Sequence, residues 1–286
     1  MSMPSIAQVI VEAAQVLRRA GVQEARREAG SLLAHAIARD RTFLITHADE
    51  GLTADEVSRF RKVVERRASG EPLQYIKGEQ EFFSLDFEVT PAVLIPRPET
   101  ELLVETALEF LRETAQPFIC DVGTGSGCII ITLLHELSQA RGLALDISPA
   151  ALQVAARNAS RHRVRERLAL VASDCFSALD AASARFSIIV SNPPYIAESA
   201  LEGLQREVSE HEPRVALTPG ADGLLVVKRI AADASRFLNS GGHLLMEIGF
   251  DQHEAAAQLF ETAVWQLLDI RKDLRGIPRI AVIRKK

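Results

Sequence analysis

The sequence predicts an α/β fold behind a small helical bundle, on three observations. From about residue 98 to Ile248, strand-like apolar runs alternate with helix-like segments, as in a sheet covered by helices. The apolar stretch Phe118-Ile119-Cys120 runs through a glycine-rich turn, Asp121 to Gly127, straight into a helix-like segment from Cys128 to Leu137. Residues 1 to about 75 instead carry their apolar positions at helical spacing.

Taken in order, Ile6, Val9, Ile10, Ala13, Val16 and Leu17 form the first helical stripe, and Gly21 stops it. Ala25, Ala29, Leu32, Leu33, Ala36 and Ile37 repeat the spacing. Thr53 with Glu56 reads as a capping box opening a third helix with Val57, Phe60, Val63 and Val64. These stripes read as core, and a bundle over 1–77 is suited to docking a partner. Phe83, Leu85, Phe87 and Val89 then alternate with period two before Pro91, Pro96 and Pro98, so a hairpin or extended linker is expected over 78–97. The region 98–286 opens with a helix near Pro98-Glu99 carrying Leu102, Leu103, Ala107, Phe110 and Leu111 on one face. It closes between Val264 and Ile283 with two β-rich segments spaced for an antiparallel pair.

Composition narrows the function classes. With 33 Lys+Arg against 38 Asp+Glu, the net charge is −5, which disfavours binding to long nucleic acid. The three cysteines, Cys120, Cys128 and Cys175, form no Cys-x-x-Cys pair, and a reducing cytoplasm is the expected location. The N-terminal residues lack a signal-peptide pattern, and no apolar run approaches the ~20 residues of a bilayer span, so a soluble protein is expected. The seven histidines show no metal-ligand spacing, so no metal is expected.

Three features carry chemistry. In Asp121-Val122-Gly123-Thr124-Gly125-Ser126-Gly127 the glycines permit close backbone approach to a ligand, and the following helix start offers N–H groups. Its Gly-x-Gly-x-Gly spacing differs from the Gly-x-Gly-x-x-Gly of dinucleotide-binding dehydrogenases. Asp146 ends the next apolar strand, Leu143-Ala144-Leu145, where a carboxylate can accept both hydroxyls of a ribose; equally, it can serve as a cap or turn residue. Asn192-Pro193-Pro194-Tyr195 follows the apolar run Ile188-Ile189-Val190 and Ser191. An Asn carbonyl and a main-chain carbonyl freed by the prolines can accept the two N–H groups of a planar amine, with Tyr195 stacking on it. Taken alone, Asn-Pro-Pro reads equally as a turn after a buried strand.

The two motifs in this order, with Glu65 to Pro72, Gln74-Tyr75-Ile76, Val93 to Glu101 and Lys272 to Arg279, resemble the HemK/PrmC family of peptide chain release factor glutamine methyltransferases over nearly the whole chain. The resemblance implies a seven-stranded, Rossmann-like, S-adenosylmethionine-dependent methyltransferase domain with a reversed final strand, and an N-terminal helical domain that docks class I release factors. By position, Gly123, Thr124, Gly125, Ser126 and Gly127 would wrap the methionine part of the cofactor, Asp146 its ribose, and Asp174-Cys175 its adenine edge. Some relatives carry an aromatic residue after that acid, where this chain has Cys175 with Phe176 beside it.

Asn192 would touch both cofactor and substrate, its side-chain oxygen and the Pro193 carbonyl accepting the N–H groups of a glutamine amide, with Pro194 and Tyr195 completing the site. The implied reaction methylates the glutamine of a release factor's Gly-Gly-Gln motif, by a protein expected to be monomeric. The rival substrates are a ribosomal-protein glutamine and an exocyclic base amine, which is also a flat –NH2. Arg97 and Glu99 read equally as a structural ion pair or as site residues, and Glu101 as a first-turn helix acid.

Overall fold

Helix caps and buried stripes build the first part of the chain, and a sheet buried on both faces builds the second. The computed structural model describes residues 3–182, 185–221, 223–260 and 262–286. Two compact units emerge: Met1–Gly78 with Gln205–His211, and Glu79–Leu204 with Glu212–Lys286.

In the helical unit, Ile6–Arg19 starts at a capping box in which Ser5 and Gln8 satisfy each other's backbone N–H groups. Ala54–Ala68 starts at a second, formed by Thr53 and Glu56. With Ala25–Ile37 these helices bury Leu17, Ala29, Leu32, Leu33 and Phe60 in one core. Arg67 is 7% exposed. It is held by Glu28 at 2.5 Å and by Glu207, from the distant 205–211 segment, at 2.8 Å.

The second unit begins with a hairpin, β1 (Glu79–Phe82) and β2 (Leu85–Glu88), paired from Glu79↔Glu88 to Phe82↔Leu85. Its two turn residues, Phe83 and Ser84, have φ of 51° and 61°, a conformation usually left to Gly or Asn. The Phe83 N–H donates to Glu101 Oε1 at 2.9 Å, so Glu101, in the first turn of helix Glu101–Leu111, also anchors this turn.

The main sheet comprises β3 (Phe118–Val122), β4 (Arg141–Asp146), β5 (Leu168–Ala172), β6 (Phe186–Ser191), β7 (Leu238–Glu247), β8 (Trp265–Lys272) and β9 (Pro278–Lys285). Its seven strands lie in the order β5-β4-β3-β6-β7-β9-β8. β9 runs antiparallel to both of its neighbours, while β3 to β7 pair in parallel. Period-two alternation sends Ile119, Ala144, Ile188 and Val190 into one core and Cys120, Leu145, Ile189 and Met246 into another, one on each face. Burial on both faces explains why these strands read as unbroken apolar runs. The strand order reverses between β3 and β6, and in such sheets ligands bind beyond the carboxyl ends at that reversal. No helix among the described residues is long and apolar enough to cross a membrane.

Candidate active site

The carboxyl ends of β3, β4 and β6 each deliver one of the motifs to a single cavity of about 340 Å³. Gly123 to Ser126 follow β3, Asp146 ends β4, and Asn192 to Pro194 follow β6; all line it, with Asp174 and Cys175.

After β3 the chain turns sharply because Gly123, Gly125 and Gly127 all have positive φ. Gly127 is the most restricted, since a Cβ there would lie 2.6 Å from Ile131 Cδ1. Most N–H groups of the turn are already used. Gly123 and Thr124 donate to the Leu145 carbonyl, Gly127 to the Thr124 carbonyl, and Gly125 to Asp146 Oδ2 at 2.8 Å. These bonds fix the shape of the turn and make it a poor cradle for an anionic phosphate.

Two carboxylates, Asp146 and Asp174, line the cavity, and Asp121 is buried near Asp146. Asp146 also accepts the Ser148 N–H at 2.9 Å through Oδ1, and burial raises its carboxyl above the usual range. Asp121 is fully buried; burial pushes its carboxyl up to about 7, and Asp146 adds to the rise. Asp174 is exposed and paired with Arg229 at 2.9 Å. Cys175, in a left-handed conformation at φ 50°, is buried, and burial raises its thiol. Phe176 stacks on Phe237 in the core, 4.9 Å between centroids, so the aromatic next to Cys175 belongs to packing.

Past β6, Ser191 Oγ donates to the Val122 carbonyl at 2.7 Å and ties the strand to β3. Asn192 Nδ2 donates to Thr100 Oγ1 at 3.1 Å, and Thr100 Oγ1 donates to Glu247 Oε2 at 2.7 Å. Tyr195 donates to Glu247 Oε1 at 3.2 Å, so its hydroxyl is directed to the end of β7, and Tyr195 is not among the cavity-lining residues. Burial and the nearby Glu247 charge raise the Tyr195 phenol. Gln252 Nε2 donates to the Tyr195 carbonyl at 3.0 Å, and Gly223 fits beneath because a Cβ there would lie 2.5 Å from that oxygen. Among the described residues, nothing donates to Asn192 Oδ1 or to the Pro193 carbonyl.

The profile described as "PrmC N-terminal domain" matches residues 8–78, and that described as "Methyltransferase small domain" matches 98–220. The release factor glutamine methyltransferase of Nitratidesulfovibrio vulgaris is 45% identical over 275 residues, covering 96% of this chain and 92% of its own. The chain belongs to the PrmC/HemK family of release factor glutamine methyltransferases. A second member, from Koribacter versatilis, is 41% identical, covering 98% of this chain and 99% of its own. Among solved structures, the hMettl16 catalytic domain covers 78% of this chain and 81% of its own, with a TM-score of 0.54 and 18% identity, a likeness of fold alone.

Family membership makes S-adenosylmethionine the cofactor, and the residues present suit it. On the cavity wall the Asp146 carboxylate favours a cation, while Asp174 is already paired with Arg229. The buried Asp121 Oδ1 has no partner among the described residues, and Cβ atoms added at Gly123 or Gly125 would meet nothing within 4 Å.

Sequence reasoning missed four residues here. Ile147 lines the cavity beside Asp146 and is 55% exposed, and Arg229 lines it beside Asp174. Thr100 also lines the cavity, beside Asn192, and Glu247 stands behind it. The signal for Glu247 was a carboxylate closing the apolar strand Leu244-Leu245-Met246, the same pattern that marks Asp146. Arg97 and Glu99 are both ion-paired, but not with each other: Arg97 binds Glu212, whose carboxyl also accepts the Ile95 N–H at 3.3 Å, and Glu99 binds Arg275 at 2.8 Å. Arg97 also lines the cavity.

Proposed function

We propose that this protein methylates the side-chain amide nitrogen of the glutamine in the Gly-Gly-Gln motif of class I release factors. The observation that carries this reading is the Asn192 side chain, whose Nδ2 is committed to Thr100 while its oxygen faces no described donor. Two acceptors, Asn192 Oδ1 and the Pro193 carbonyl, match the two N–H groups of a primary carboxamide.

S-adenosylmethionine supplies an electrophilic methyl group on a sulfonium. Gly123 to Ser126 on the cavity wall would hold its methionine part, Asp146 its ribose and Asp174-Cys175 its adenine edge; Gly127 does not line the cavity and packs against Ile131 and Ala155 instead. An amide nitrogen is a poor nucleophile because its lone pair is delocalised into the carbonyl. Asn192 and Pro193 would accept its N–H groups, aim the nitrogen and stabilise the positive charge developing on it. Orientation of this kind is worth ~7–11 kcal/mol in favourable cases. Pro194 lines the same wall. Tyr195 would steady the segment, its hydroxyl on Glu247 and its carbonyl on Gln252. The proton is lost after alkylation, so no strong base is needed at the nitrogen.

Docking of the release factor is assigned to the helical part, 1–77, catalysis to 98–286, and the hairpin region 78–97 links them. Free Cys120, Cys128 and Cys175 support a reducing, cytoplasmic location, and the protein acts as a monomer in this reading. The test is mass spectrometry of a release factor's Gly-Gly-Gln peptide after incubation with the protein and S-adenosylmethionine. One added methyl group on the glutamine is expected. An unmodified peptide, with label passing to ribosomal protein or nucleic acid instead, overturns the reading.

A further inference from the structure

We propose that Thr100 and Glu247 are positioning residues that set which way the Asn192 carboxamide faces, turning its oxygen rather than its amino group toward the substrate. The inference rests on the reading of Asn192 as an acceptor for the substrate amide, and concerns what makes it one. The two ends of an Asn side chain have nearly the same shape, so packing alone selects neither orientation. Presented the wrong way round, Asn192 would set an –NH2 against the –NH2 of the substrate, donor against donor.

A relay of hydrogen bonds removes the ambiguity. Glu247 is 1% exposed, and its carboxylate accepts from Thr100 at 2.7 Å on one oxygen and from Tyr195 at 3.2 Å on the other. Thr100 has a single hydroxyl proton and spends it on Glu247, so toward Asn192 its oxygen can only accept. Asn192 must then present Nδ2 to it, as it does at 3.1 Å. A glutamine at 247 would have the same size but one acceptor end instead of two. With its amino end toward Thr100, the hydroxyl would turn round and donate to Asn192, reversing the carboxamide.

The relay also makes the reaction pH-dependent. Glu247 is faced by Tyr195 after β6, Arg279 on β9, Glu99 before helix Glu101–Leu111 and the Cys128 thiol; burial pushes its carboxyl up to about 7. Once protonated, Glu247 can donate to Thr100 and release the constraint, so kcat should fall as pH drops through that value.

The experiment compares wild type with Thr100→Val, Thr100→Ser and Glu247→Gln. Thr100→Val should lower kcat about tenfold or more while KM for the release factor stays within about twofold, and Thr100→Ser should restore turnover. Glu247→Gln should be slower and lose the fall in kcat below neutral pH. A readout that needs no substrate is the Asn192 side-chain –NH2 signal in 15N nuclear magnetic resonance, identified by its loss in Asn192→Asp. Its protons should exchange slowly in wild type and Thr100→Ser and rapidly in Thr100→Val. Wild-type exchange in Thr100→Val, or wild-type kcat and pH profile in Glu247→Gln, overturns the proposal. A wild type that methylates no release factor overturns the functional reading instead, and the exchange measurement still decides this one.

Discussion

Thr124 donates its hydroxyl to Asp121 Oδ2 at 2.6 Å across the start of the glycine turn, leaving Asp121 Oδ1 buried without a donor among the described residues. The carboxyl is held at about 7, chiefly by burial, against an ordinary value of 3.8. The folded protein therefore binds this proton more tightly than the unfolded chain. The stabilisation it gives is complete below about pH 4 and is lost as pH rises through about 7. Each pKa unit of such a shift corresponds to roughly 1.4 kcal/mol. Thermal unfolding followed from pH 4 to 8 should show Asp121→Asn gaining stability relative to wild type as pH rises. A constant difference across that range would contradict the assignment.

Replacing Asn192 by Ala removes the acceptor but leaves the glycine turn and Asp146 intact. Turnover should fall by about 10² or more, on the scale seen when a transition-state hydrogen bond is removed. Calorimetric affinity for S-adenosylhomocysteine should be only modestly reduced. Equal losses in both would remove the division of roles between Asn192 and the turn.

Gly127→Ala places a Cβ at 2.6 Å from Ile131 Cδ1 on a residue with φ of 82°. A loss of about 1–3 kcal/mol in denaturant unfolding is expected, together with weaker cofactor binding. Gly123→Ala is the control, because its Cβ meets nothing within 4 Å and only the φ of 76° opposes it. It should cost less stability than Gly127→Ala.

In the helical unit, Arg67 pairs with both Glu28 and Glu207 with its side chain 8% exposed. Arg67→Ala leaves Glu28, 17% exposed, without that partner and should cost about 3 kcal/mol. Hydrogen exchange should at the same time speed up over 205–211. By contrast, Arg229→Ala breaks a pair exposed by 42% and 47%, and should change stability by less than about 1 kcal/mol.

What was legible in the sequence follows the range of the forces involved. Helices with capping boxes and strands buried on both faces declare themselves locally, so the helix Ile6–Arg19, the helix Ala54–Ala68 and the strands before Gly123, Asp146 and Asn192 could be read off residue spacing. The glycine turn, Asp146 and Asn192 stood out because each interrupts an apolar run with a residue the strand does not need. The hairpin turn at Phe83-Ser84 carried no Gly or Asn, since a distant carboxylate, Glu101, holds it. Thr100 and Glu247 are 147 residues apart, and only the sheet brings them together. The grouping of 205–211 with the helical unit is non-local in the same way.

The place of β9, between β7 and β8, has a consequence for biogenesis. β8 is made before β9 yet bonds within the main sheet to β9 alone, so the order of assembly cannot follow the order of translation. Until Ile280 to Ile283 emerge, the edge of β7 stays open, an adhesive border for neighbouring nascent chains. Premature arrest upstream of Pro278 would therefore yield clumping fragments rather than merely inactive ones.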